Sequence, residues 1–162
     1  HLMKSRLDLE NDRRVLGGGT LASVVDAAEA KAAALRALAA LDVIVAATGD
    51  GAEEVETGVV SGLNAAGLSA KRGSPGDAGD MVVEAVAAVE PLEGTDPRWK
   101  WSRASATITL KDGRENKAFA RFSPSEREAA GDARQARRRS LDSLAKKAAE
   151  RVATAISDYF NN

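Results

Sequence analysis

The sequence predicts an α+β protein, a two-layer sandwich. A mostly antiparallel sheet, residues 81–122 plus a strand near 43–47, is expected to be packed by helices at 21–41, 52–66 and 132–160. Three observations lead there. Residues 99–111 alternate strictly, with Trp99, Trp101, Arg103, Ser105, Thr107 and Thr109 on one side and Ala104, Ala106, Ile108 and Leu110 on the other, the period of a half-buried strand. Leu141, Leu144, Ala145, Ala148, Val152, Ile156 and Tyr159 recur at steps of three and four, the stripe of an amphipathic helix. Turn residues bound the short apolar run Val43-Ile44-Val45-Ala46-Ala47, as for a strand buried on both faces.

Taken in order, Leu7, Leu9 and Val15 form a broken alternation, a weak strand or extended arm that Gly17-Gly18-Gly19 ends. Because the chain opens on His1-Leu2-Met3, residues 1–20 are expected to be a tag remnant and arm, and 21–162 a single α/β domain. Thr20 can cap a helix carrying Val24, Val25, Ala28, Leu35, Leu38 and Leu41 at helical spacing. Gly49-Asp50-Gly51 breaks the strand at 43–47. Val55, Val59, Leu63 and Ala66 then define a helical face, with Gly67 placed to end it. Residues 68–71 suggest a short strand, and 72–79, rich in Gly, Ser, Pro and Asp, a loop. A long strand over 81–92 stops near Pro91, Gly94 and Pro97. Asp112-Gly113 marks a hairpin turn, 118–122 the return strand, and Pro124 its end. Asp132 can cap the last helix, about 40 Å long at 1.5 Å per residue. With one apolar stripe and one charged face, that helix is expected to lie on the sheet.

Composition narrows the chemistry. In 162 residues there is no cysteine, and the one histidine is His1. Thiol nucleophiles, Ser-His-Asp triads and the usual zinc sites are therefore excluded. Aromatics make up 4% and alanine about a fifth of the chain, favouring helix and close packing over large buried side chains. The net charge of −1 disfavours a globally basic nucleic-acid binder. No run of about 18 apolar residues is present to span a membrane.

The candidate sites each have a bland alternative. Gly49-Asp50-Gly51 sits where a phosphate loop would, but Glu54 replaces the third glycine and three acids would repel phosphate; a turn is expected. Gly17-Gly18-Gly19-Thr20 lacks the lysine of a P-loop and suits a flexible connection. Arg134, Arg137, Arg138 and Arg139 form a basic cluster, extended by Lys146, Lys147 and Arg151. They oppose the helix dipole, which could be retained for an anion or an acidic partner; the alternative is a solvated face. Trp99 and Trp101, flanked by Arg98 and Arg103, are expected in the core beneath alanine-rich helices. Left exposed, they would form an aromatic patch for a sugar, peptide or protein. Paired acids such as Glu53-Glu54, or Asp77 with Asp80, have no catalytic or metal-binding spacing. No cofactor and no metal are expected.

Three segments resemble a known module. Val55 to Leu68 is similar to its helix, small residue and strand; Ala78-Gly79-Asp80-Met81-Val82-Val83-Glu84-Ala85 to its strand entry; Thr107-Ile108-Thr109-Leu110-Lys111-Asp112, with Lys117-Ala118-Phe119-Ala120, to its hairpin. The module is the periplasmic domain shared by the TolB amino-terminal part, LpoB-type and CsgG-like lipoproteins, and the resemblance covers about 42–160. It implies a non-enzymatic bacterial envelope module, periplasmic or outer-membrane-associated, often lipid-anchored through an upstream cysteine; a cytoplasmic setting stays open. The module has no shared catalytic motif, so no residue role is carried over. The expected function is binding a protein partner or self-assembly, with Trp99, Trp101, Arg103, Arg134, Arg137 and Arg138 as partner-binding residues. The alternative is an anion- or nucleic-acid-binding module built on Arg134–Arg139.

Overall fold

The longest alternating segments form the middle of a six-stranded sheet. The computed structural model describes residues 27–161; the expected arm at Leu7 to Val15, the glycines 17–19, the expected Thr20 cap and the part of the expected helix at 21–26 lie outside them. The chain divides into two compact units, 1–38 and 39–162. Of the first, helix α1 (Ala27–Ala39) is described, with Glu29 in its first turn and Arg36 in its last.

The second unit holds the sheet. β3 (Met81–Leu92) and β4 (Lys100–Asp112) pair antiparallel without a break, from Met81 opposite Asp112 to Leu92 opposite Trp101. β1 (Asp42–Gly49) runs parallel to β3 on one side and to β2 (Ser69–Arg72) on the other. A parallel pair needs a crossover, and α2 (Ala52–Ala65) supplies it between β1 and β2. On the far side of β4, β5 (Lys117–Phe122) takes one half and β6 (Ser125–Ala130) the other. The sheet is thus mixed, with its antiparallel part around β4. β6 is a strand the sequence analysis did not foresee. Pro124 ends β5, but its carbonyl accepts from the Ala106 N–H (3.1 Å) and hands the edge of β4 to the next segment. The hairpin turn is also wider than a two-residue Asp-Gly turn. It spans Gly113 to Asn116, with Asn116 at φ 50, and the Asp112 carboxylate accepts from the Arg114 and Glu115 N–H groups (2.8 and 3.2 Å).

The closing helix α3 (Ala133–Asn161) matches its expected bounds, and Asp132 caps it by accepting from the Gln135 N–H (2.9 Å). Both α2 and α3 pack on one face of the sheet. That face presents Val43, Val45, Met81, Val83, Ala85, Ala87, Ala104, Ala106, Ile108 and Leu110, all buried. Against it lie Val55, Val59 and Leu63 of α2 and Leu141, Leu144, Ala148, Val152 and Ile156 of α3. Each fully buried Leu, Ile or Val contributes about 1.5–3 kcal/mol. A buried polar contact crosses this layer: the Ser140 hydroxyl lies 2.9 Å from the Arg137 carbonyl and 3.2 Å from the Ser102 hydroxyl, so both buried serines are within hydrogen-bond reach of a partner.

Two glycines set the spacing of the helices. A Cβ on Gly58 would collide with the Ala145 Cβ, and one on Gly62 with the Ala149 Cβ. One turn along α2 matches one turn along α3, so the helices run in the same direction. Alanine opposite glycine lets them touch almost backbone to backbone. Gly51 holds the entry to α2 at φ +83, where L side chains are rarely found, with Leu141 packed against it. β1 is buried on both faces as expected, because the 73–79 loop folds over Ile44 through Gly73 and Gly79.

Candidate partner-docking site

Over β3 and β4 the sheet face away from α2 and α3 is solvated. Lys111 pairs with Glu84 (2.7 Å) and Arg103 with Glu90 (3.1 Å) across strands, on either side of exposed Val86. Trp101 and Arg103 lie on this face by alternation with buried Ser102 and Ala104. The expectation that both indoles enter the core is therefore corrected. The helices cover the Ala104–Leu110 row, since small and aliphatic side chains let an alanine-rich helix approach, and the indoles are left on the other side.

At the Trp end the β3–β4 connection makes contacts of its own. Asp96 accepts from the Trp99 N–H through its carbonyl (3.1 Å) and from Arg98 through its carboxylate (2.8–3.2 Å). The Arg98 hydrogen bonds hold the Asp96 carboxyl below its usual pKa and raise that of the guanidinium. Gly94 lies against the Trp101 indole, where a Cβ would stand 2.6 Å from Cδ1. The Arg127 guanidinium sits 4.4 Å from the Trp101 ring centroid, a cation–π contact that leaves Trp101 half-buried. Trp99 is 50% exposed. The geometry thus presents one half-exposed indole beside a second already covered by arginine.

Because Lys100 pairs with Ala130, the start of α3 and its arginines come to the same end of the sheet. They occupy the opposite layer, so Trp99, Trp101 and Arg103 do not form one surface with Arg134, Arg137 and Arg138. Those three line a groove of about 1360 Å³ between α2 and α3, walled on the α2 side by Glu53, Glu54 and Thr57 and floored by Gly58, Gly62, Ala145 and Ala149. Sequence reasoning passed over this groove, although Gly58 and Gly62 one helical turn apart are its signal. Within it Arg137 donates two hydrogen bonds to Asp50 (2.6 and 2.8 Å). Those bonds, more than its charge, lower the Asp50 pKa, and they raise that of Arg137. Arg138 stands 4.0 Å from Asp142, and Arg139 donates to the Ala129 carbonyl (3.2 Å). Arg134 is exposed. The Gly49-Asp50-Gly51 segment is the turn expected of it, its carboxylate engaged with Arg137. None of the described helices is long and apolar enough to cross a membrane.

No family model matches the chain, and no curated protein matches it. Solved structures do. A candidate lipoprotein of Caulobacter crescentus aligns with a TM-score of 0.55 at 12% identity, over 80% of this chain and 96% of that one. A minor lipoprotein of Acinetobacter baumannii aligns with a TM-score of 0.51 at 14% identity, over 73% and 93%. A Xanthomonas campestris protein of the DUF330 family aligns with a TM-score of 0.61 at 9% identity, over 75% and 88%. At these identities the likeness is one of fold, and the chain folds like these bacterial proteins.

Proposed function

We propose that this chain is a non-enzymatic accessory module of the bacterial cell envelope, related to lipoprotein domains, that docks a protein partner or a second copy through the Trp99 end of its sheet. The observation that carries the reading is Trp99, half exposed on a hairpin connection fixed by the Asp96–Arg98 contacts. Tryptophan and arginine at the centre of a patch are enriched among the residues that dominate binding energy. The lipoprotein-like fold supports the envelope setting. The absence of cysteine, and of any histidine beyond His1, supports a reading without the common catalytic machinery.

The test places a photo-crosslinking amino acid at Trp99 in the full chain, in cells. A discrete adduct with one envelope protein, or with a second copy, is expected, and none from the same probe at Lys71 on β2. Equal labelling at both positions, or no adduct at Trp99, would overturn the docking surface.

A further inference from the structure

Beyond β4 the sheet ends in one continuous edge, because β5 and β6 keep a single register across Pro124. Ile108 stands opposite Phe122, and Ser105 opposite Ser125. The Ala106 N–H donates to the Pro124 carbonyl (3.1 Å), so the even-numbered residues of this edge turn their backbone groups inward to β4. Backbone groups alternate in direction along a strand. Those of Arg121, Ser123, Ser125, Arg127 and Ala129 therefore point outward. A proline commonly blocks an edge by removing an outward donor. Here the missing N–H of Pro124 lies on the inner side, and the outward row of donors is complete. Among the described residues, the outward group that has a partner is the Ala129 carbonyl, which accepts from Arg139 (3.2 Å).

The side chains of this row lie on the solvated sheet face, with Arg121 opposite Thr109 and Arg127 opposite Arg103. Arg121 and Arg127 are exposed, and neither has a carboxylate partner among the described residues. Arg127 rests on the Trp101 ring, which leaves its charge uncompensated. The β3 carboxylates of this face, Glu84 and Glu90, already hold Lys111 and Arg103. Glu126 and Glu128 turn to the other face, where they meet Lys147 and Ser143. Antiparallel pairing of this edge with a second copy would gather the arginines of both chains on one face, a destabilising like-charge arrangement. A strand with carboxylates on that face would instead give each arginine a cross-strand partner.

We propose that the 121–129 edge receives an extended segment of a partner protein as an added strand, with acidic residues at alternate positions opposite Arg121 and Arg127. The backbone bonds supply affinity and the alternate carboxylates supply selectivity. The pairing requires no contact with Trp99 and does not depend on that reading.

Titration of the full chain with nine-residue peptides tests it, read by fluorescence anisotropy of the peptide and by amide hydrogen exchange of the protein. A peptide of alternating threonine and glutamate is expected to bind and to protect the Ser123, Ser125 and Arg127 amides, leaving those of β2 unchanged. The same peptide methylated at its glutamate nitrogens, or with lysine in place of glutamate, is expected not to bind. Arg121→Ala and Arg127→Ala are each expected to weaken binding about two- to fivefold. Arg121→Glu combined with Arg127→Glu is expected to shift the preference to the lysine peptide. Both side chains are exposed, so circular dichroism should show an unaltered fold. Equal binding of the methylated or lysine peptide, no binding at low salt, or protection on β2 instead of this edge would overturn the proposal. So would concentration-dependent protection of the same amides without peptide, which would assign the edge to contact between copies.

Discussion

Arg137 joins the start of α3 to the turn that leads into α2, and one carboxylate, Asp50, receives both of its hydrogen bonds. Asp112 plays a similar part at the other end, accepting from two turn N–H groups and from Tyr159. Both carboxyls have depressed pKa values, Asp50 first through Arg137 and Asp112 first through the Arg114 N–H. A group depressed in the folded state contributes stability above its unfolded pKa and loses it as pH falls through the folded value. Urea midpoints should therefore decline below about pH 4, and Asp112→Asn should flatten that decline. An unchanged acid limb would show that the turn contacts do not contribute. Gly62 offers a second residue-scale test. Any side chain there meets Ala149, so Gly62→Val should cost about 1–3 kcal/mol by overpacking, as measured by urea denaturation. A neutral result would mean that α2 and α3 can move apart freely.

Among the elements, α3 shows the closest agreement between sequence and structure. Every residue of its expected apolar stripe is buried except Tyr159, which emerges at the end. Leu144→Ala should cost about 2–5 kcal/mol through the cavity it leaves, while Arg134→Ala, on the exposed face, should stay within about 0.5 kcal/mol. Equal effects would contradict the burial pattern. β4 was as legible in its alternation, yet alternation says only which residues share a face. Which face a helix takes is a tertiary outcome, and this is why Trp99 and Trp101 were expected in the core. β6 escaped because Ser125-Glu126-Arg127-Glu128 is polar throughout. Its long side chains find partners on α3 instead, Glu126 with Lys147 and Glu128 with Ser143. The stacking of Tyr159 on Phe119 was illegible for a related reason, since it joins residues far apart along the chain.

At the scale of the whole molecule, unit 39–162 contains the complete sheet, α2, α3 and the buried side chains named above. Expressed alone, residues 39–162 should unfold cooperatively, with a melting temperature within a few degrees of the full chain. A non-cooperative melt would show that the first unit completes the core. Composition bounded the chemistry at this scale, while the placement of Trp99 and Tyr159 near opposite ends of β4 required coordinates. The β3–β4 ladder has a further consequence, in time. Its pairings close over a short connection, whereas the parallel β1–β2 and β1–β3 pairs join segments separated by a helix or more. Loop closure of that kind is slow, so the hairpin should assemble first and serve as the template on which β1 later docks. Ile108→Ala should then chiefly slow refolding, and Val43→Ala chiefly hasten unfolding, in stopped-flow measurements.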